Sequence, residues 1–376
     1  MIQENLLIVA DSVRDANMLY AVGFFASDPF IYLNLKNRGY VIVGDLELDQ
    51  ARHQARHCRV ISLRHYQQTL QRKNGKDPSV AEVIHFFLRQ RQLETIQVPE
   101  NFPLGLAMKL RELDITVHVK EGPCFPQRAL KTADEIKKIS AALMMVEVGL
   151  AEAVQVLKAA KISRNGRLQY HDVPLTVEKL RSVINVALLQ AGGTVHRTIV
   201  ASGRQGCDPH EVGHGVLRAH QPIILDITSR SQKTGYFGDI TRTVVKGQAS
   251  EAVRQLYHTV VRGQAVAMAQ ISHNVPGVDV HRVVQEFFMH QNYRTTRNNG
   301  HPQGFIHSIG HGIGLELHET PRMDDGSNDI LQAGHVVTVE PGLYYPRLGG
   351  VRLEDVVLVT RKEPVNLTKF EKTLEV

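Results

Sequence analysis

A chain of 376 residues is too long for one small core, so two domains are expected. Hydrophobic residues make up 43% and charged residues 22%, the balance of a globular protein and not of a disordered or fibrous one. The net charge is +6, and the basic stretch 51–76 holds seven Arg or Lys and no acid. It carries one aromatic, Tyr66, without the interleaved stacking pattern of single-strand binders, so it reads as a solvated face or subunit contact and no nucleic-acid partner is expected.

The amino terminus has acidic residues close on both sides of its apolar run LLIVA and no basic region before it. It reads as a first strand, not a secretory signal. No uninterrupted apolar run reaches 18 residues, so no membrane span is expected. Cys58, Cys124 and Cys207 lie far apart with no CxxC spacing, which fits a reducing compartment, here the cytoplasm. Further strands are expected at YVIVG (40–44), CRVISL (58–63), TIQV (95–98) and ITVHV (115–119). Between them a helix opens at Ser79, with Ser79 and Glu82 at capping-box spacing. Residues 1–128 therefore read as an α/β domain without a titratable cluster.

The stretch 119–132, VKEGPCFPQRALKT, marks the boundary. Thr132 and Glu135 open a long helix whose apolar residues, from Ile136 through Leu157, keep helical period. Helices are also expected at about 176–191, 250–271 and 279–291. Between and after them run PIILDI, FGDITRTVVKG, HVVTVEPGLYY and GGVRLEDVVLVT, so 129–376 reads as α+β.

Those four β-like segments carry Asp226, Asp239, Glu340 and Glu354 where core strands would carry apolar residues. A buried carboxylate must be paired, protonated or bound to metal. Asp226 and Asp239 are 13 apart and Glu340 and Glu354 are 14 apart, each pair with glycine between, which fits two antiparallel hairpins. Four ionised carboxylates in one place repel each other, and two divalent cations neutralise them. HSIGHGIGLELHE (307–319) adds His311, flanked by glycines that let its backbone turn and a substrate come close. Four carboxylates and one imidazole suit manganese, cobalt or iron more than structural zinc, and a bridged metal pair is a device for activating water.

A competing motif lies in DPHEVGHG (208–215), which contains a literal HExxH from His210 to His214. A zinc protease needs both histidines on one helix face. Pro209, Gly213 and Gly215 argue against a helix there. His214 and His220 are read as surface or loop residues.

The ordered set of Asp226, GDITRT with Asp239, HSIGHGIGLELHE, VEPGLYY and GVRLEDVVLVT resembles the pita-bread metallopeptidases. The resemblance covers about residues 129–376. The preceding domain, which would be creatinase-like, and the GVRLED motif point to the Xaa-Pro branch, that of prolidase and aminopeptidase P. The resemblance implies that Asp226 chelates one metal, that His311 and Glu340 bind the other, and that Asp239 and Glu354 bridge both. Two divalent cations are implied, manganese first, with cobalt, zinc or iron as alternatives. Glu340 would also accept a proton during catalysis, and His210 and His318 would contact the scissile peptide and its tetrahedral intermediate. His307, Arg352 and Tyr344 would serve the substrate side, with Arg352 either ordering Glu354 or meeting a substrate carboxylate and Tyr344 a weaker candidate that supports the residues around it. The implied reaction is hydrolysis of a peptide bond before proline in the second position, by a homodimer or homotetramer. An inactive peptide- or protein-binding module on the same fold and a creatinase-like metal-free amidinohydrolase are the alternatives, and the intact ligand set weighs against both. The chain departs from the family at Thr228, where glycine is usual, and in a slightly longer loop to Asp239.

Overall fold

The computed structural model describes residues 5–298 and 301–376. The chain divides into two units, Met1–Arg128 and Ala129–Val376.

In the first unit all five expected apolar runs become strands of one six-stranded sheet. Its order is Cys58–Ser62, Arg38–Val43, Phe30–Leu35, Leu6–Ala10, Thr95–Val98, Thr116–Val119. The sixth strand, Phe30–Leu35, was not anticipated. It hairpins onto Arg38–Val43 through Lys36 and Asn37, both left-handed (φ 52° and 63°). That is the geometry of a tight primed turn without its usual Asn-Gly signal. Ser79 and Glu82 form the expected capping box on the helix Val80–Arg89. The basic stretch falls on a helix, a strand and a second helix. Three of its cations are ion-paired on the surface, Arg52 with Asp49, Arg64 with Asp45 and Lys76 with Glu82, as a solvated face would have them.

In the second unit the capping box at Thr132 and Glu135 starts the helix Ala133–Ala159. By length and composition this helix is apolar enough to cross a membrane. Its buried stripe, including Ile139, Leu143, Val146, Leu150 and Leu157, packs on the helix Val177–Gln190 and on the sheet Gly193–Ser202, Pro222–Ser231, Phe237–Val245. The other expected helices are Glu251–Gln270 and Gly277–His290.

The first carboxylate hairpin forms as expected. Pro222–Ser231 pairs antiparallel with Phe237–Val245, with Asp226 opposite Thr241 and Thr228 opposite Asp239. The second differs from the simple hairpin. Each of its strands breaks at its carboxylate, and the halves go to different sheets. Gly342–Tyr345 pairs with Gly349–Arg352, while Val336–Val339 pairs with Asp355–Leu358 inside a five-stranded sheet. Glu340 and Glu354 sit at the breaks. Pro341 has no N–H to continue the ladder past Glu340. Glu354 instead bridges to the first hairpin, its N–H donating to the Thr241 carbonyl at 3.0 Å.

Arg242 fastens this seam. Its buried guanidinium donates to the carbonyls of Thr241, Glu354, Phe370 and Glu371 and to Asp355 Oδ1, at 2.7–3.1 Å. These five bonds use all the donors an arginine has. The Arg242–Asp355 pair is almost fully buried. Removing one member of such a pair costs about 3–5 kcal/mol. Arg242→Met is therefore expected to lower unfolding stability by about that much. Urea denaturation checks it, and a loss within about 1 kcal/mol would contradict the role, since that is the worth of an exposed pair.

Candidate active site

One cavity of about 680 Å³ has Asp226, Asp239, His311, Glu340 and Glu354 on its wall, together with His210, His307, His318 and Arg352. Asp239, His311 and Glu354 are buried, and each offers a ligand atom within 4.8 Å of the others. Glu340 Oε1 lies 3.4 Å from His311 Nε2. Asp226 stands on the same wall, its Oδ2 accepting from Arg352 Nη2 at 2.5 Å. The structure thus brings together residues that the sequence spreads from 226 to 354.

The glycines around His311 act differently from expectation. Neither Gly310 nor Gly312 has a positive φ. A Cβ on Gly310 would lie 2.0 Å from the Thr338 carbonyl oxygen, and one on Gly312 would lie 2.3 Å from that of Thr320. Glycine is needed so that the neighbouring strands can close on both sides of His311.

Hydroxyls anchor the carboxylates. Thr228 donates to Asp239 at 3.0 Å and Thr241 to Glu354 at 2.7 Å. Thr338 accepts from the His311 backbone N–H at 3.1 Å and lies 3.4 Å from Glu340 Oε1, to which it donates. Thr228, the departure from the family pattern, is therefore part of the centre: it occupies the ladder position opposite Asp239 and holds that carboxylate.

Two residues stand behind the metal-ligand candidates. Tyr344 is fully buried and is not among the residues of the cavity wall, where support of its neighbours is the role open to it. Its hydroxyl accepts from Arg352 Nη1 at 2.8 Å and lies 2.9 Å from His307 Nε2. Arg352, for its part, holds Asp226 directly and reaches Glu354 only through Thr241, at 3.5 Å from Nε to Oγ1. These bonds use three of the five donors of Arg352, which braces Asp226 while still lining the cavity.

Arg322 was missed by the sequence reading. It lines the cavity and pairs in register with His311 across the strand Glu319–Met323. The cue was four-residue spacing from His318 inside HETPR. His196 and Arg197 also line the wall, from the exposed first half of the strand Gly193–Ser202, with no motif around them. The HExxH match forms no helix. His210 lines the cavity, whereas His214 lies on the surface near Glu211.

The electrostatics test whether a cation fits. His311 Nδ1 faces the Gly312 carbonyl at 3.1 Å and must donate to it. Burial first, and the neighbouring His318 second, push the imidazole down to about 3, so it is neutral. Its Nε2 therefore points a lone pair at Glu340. Once Glu340 is ionised these are two acceptors facing each other at 3.4 Å, an arrangement that a metal ion would turn into ligation. Burial, then the charges of Asp226 and Glu340, raise Asp239 well above the usual carboxylate range. Burial, then Asp239 and Glu340, do the same for Glu354. The donor set fits divalent metal.

The sequence matches the model of metallopeptidase family M24 over residues 137–361. The chain belongs to that family. This metallopeptidase is 32% identical over 247 residues to a Xaa-Pro dipeptidase of Pyrococcus furiosus, spanning 66% of this chain and 65% of that protein's length. A Xaa-Pro dipeptidase of Pyrococcus horikoshii is 28% identical over 295 residues, 77% of each chain. A solved X-Pro aminopeptidase from Thermotoga maritima superposes with a TM-score of 0.83 at 25% identity, covering 99% of this chain and 97% of that one. The fold is the pita-bread fold expected from the motifs.

In metal-free enzyme the same charges set how stability depends on pH. Burial, with the charge of Asp226 and against that of Arg352, raises Glu340 from 4.5 to about 7. A raised group stabilises the fold below its ordinary pKa, and that contribution is lost as pH climbs through the folded value. His307 and His311, depressed to about 3, act in the opposite sense but only up to their ordinary 6.5. Above that pH the carboxyls act alone. Chelated protein is expected to melt at falling temperature from pH 6.5 to 8, and added Mn²⁺ to raise the midpoint more at pH 8. Calorimetry with and without chelator checks this; a flat or rising midpoint in chelated protein would contradict it.

Proposed function

We propose that this metallopeptidase hydrolyses the Xaa-Pro bond at the amino terminus of dipeptides and short peptides, with two divalent cations, manganese foremost. The observation that carries the proposal is the crowding of Asp239, Glu354 and Glu340 with the neutral His311 on one wall, braced through Asp226 and Arg352. The names of its relatives, Xaa-Pro dipeptidase and X-Pro aminopeptidase, support the substrate class.

Asp226, Asp239, His311, Glu340 and Glu354 would hold the metal, which when bound supplies Lewis acidity toward water and toward the scissile carbonyl. Glu340 takes a proton from the attacking water and passes it to the leaving proline nitrogen. His318 and His210 face the cavity as donors to the developing oxyanion and the peptide. His318 stands edge-on against His311, with ring centroids 4.3 Å apart.

His307 meets the proline ring with carbon. Its Nδ1–H donates to the Ser308 carbonyl at 2.7 Å, and its Nε2 accepts from Tyr344. Both nitrogens are used, so the ring offers an apolar edge. That suits an amide whose leaving nitrogen carries no hydrogen. Arg322 supplies the cation for the carboxylate of a dipeptide. A second cavity of about 470 Å³ shares Ile306, His307, Ser308 and Asp324 with the first and leaves room for residues beyond proline.

Ala-Pro and Ala-Pro-Ala are both expected to be cleaved after refilling chelated enzyme with Mn²⁺, and Ala-Ala far more slowly. Arg322→Ala is expected to raise KM for Ala-Pro more than for the tripeptide. Glu354→Ala should remove both activities by more than about a hundredfold, beyond the usual cost of losing an outer partner of a metal ligand. Steady-state kinetics decides. Hydrolysis indifferent to proline would overturn the substrate class, and activity indifferent to chelation would overturn the metal requirement.

A further inference from the structure

We propose that Lys131 is a positioning residue for His318, acting through a buried ion pair with Glu319. The inference rests on the role given to His318 above.

His318 stands in an irregular turn, residues 313–318, between the strands Gly310–Gly312 and Glu319–Met323. No regular ladder fixes that turn. The carboxylate of Glu319 folds back into it instead. Glu319 Oε2 accepts from the Glu316 N–H at 3.4 Å. A Cβ on Gly314 would stand 2.5 Å from Glu319 Oε1, so glycine at 314 is what lets the carboxylate lie against the turn. The Gly314 carbonyl in turn accepts from the N–H of Phe237, which opens the Asp239 strand, at 2.9 Å.

A carboxylate in that position is buried, its side chain 9% exposed. It needs a partner cation. Lys131 Nζ supplies it, with a side chain only 1% exposed and a direct bond to Glu319 Oε1. Lys131 is itself held on both sides. Its backbone N–H donates to the Gly334 carbonyl at 2.8 Å, and the next residue, Thr132, caps the long helix through Glu135. Glu135 also accepts from the hydroxyl of Tyr236 at 2.8 Å, beside the start of the Asp239 strand. One helix end thus reaches the turn carrying His318 and the strand carrying Asp239, and Lys131 is its contact with the turn.

The test uses metal-loaded full-length protein, with Ala-Pro kinetics and hydrogen exchange followed by mass spectrometry. Lys131→Met is expected to lower kcat by about ten- to a hundredfold with KM within about threefold, the range for losing an outer support of a catalytic group. Exchange should quicken in the peptide covering 313–319, with metal content unchanged. Lys131→Arg should keep most of the activity. The double variant Lys131→Met with Glu319→Gln, which removes both charges of the pair, should recover kcat and protection of the turn even if the single variant folds poorly. Unchanged kcat, unchanged exchange at 313–319, or a folded double variant no better than the single would each overturn the proposal. If wild-type protein left Ala-Pro intact, the substrate reading would fall, and the exchange data would still decide whether Lys131 orders the turn.

Discussion

The structure is organised around an electrostatic cost: several buried or half-buried carboxylates share one cavity wall. Asp239 and Glu354 offer oxygens within 4.8 Å of each other. Two unit charges at about 5 Å repel by roughly 3 kcal/mol even at an effective dielectric of about 20. A hydrogen bond to a charged group returns only about 1.5–3 kcal/mol. Thr228, Thr241 and Thr338 give one such bond each to Asp239, Glu354 and Glu340. Those bonds orient the carboxylates without neutralising them. Arg352 offsets one charge, that of Asp226. What remains is a deficit of positive charge in a rigid frame. A flexible site would relieve it by turning carboxylates toward solvent; this one cannot, because each is pinned by a strand neighbour.

The pinning explains the break in the second hairpin. An uninterrupted hairpin would keep Glu340 and Glu354 in one ladder, away from Asp239. Splitting both strands at their carboxylates lets one half belong to the five-stranded sheet and the other turn away. The freed backbone of Glu354 then joins Thr241, two residues from Asp239. Arg242 locks that junction from the side opposite the cavity wall, with Asp355 next to Glu354 as its counterion. The alternation of the two strands does the sorting: odd positions Asp239, Thr241 and Thr243 serve the site and the Arg352 backbone, while Arg242 between them serves the frame.

Much of this was legible in the sequence because the relevant signals are local. Ser79–Glu82 and Thr132–Glu135 announce their capping boxes, and a carboxylate inside PIILDI or VRLEDVV stands out against its apolar neighbours. The rest depended on contacts distant in the chain. Nothing in HVVTVEPGLYY except Pro341 indicates that the strand changes sheets. Tyr344 looks like a candidate for the substrate because it follows the metal motif, yet the register opposite Gly350 turns its ring into the core. Arg322 and Lys131 are ordinary surface-type residues until the fold places one opposite His311 and the other against Glu319, 188 positions away. The strand Phe30–Leu35 escaped because its turn uses Lys36-Asn37, residues that tolerate left-handed backbone less well than the Asn-Gly pair that usually marks such a hairpin.

The same residue type does opposite work on the two sides of the cavity, and hydrogen bonding explains why. His307 is half-buried and His311 buried, and both are depressed to about 3, so neither carries charge at neutral pH. Each directs its Nδ1–H to a backbone carbonyl, at Ser308 and Gly312. Their Nε2 atoms then differ only in what they meet. Tyr344 donates to His307 and so satisfies its lone pair, leaving an inert, apolar ring. Glu340 has no proton to offer His311 once ionised, so that lone pair stays open beside three acidic oxygens. Exchanging the partners would exchange the roles: a hydroxyl beside His311 would close the ligand position. The specificity of the centre thus lies less in the histidines of HSIGHGIGLELHE than in the tyrosine and the glutamate, each brought to its histidine by one of the two halves of the broken strand.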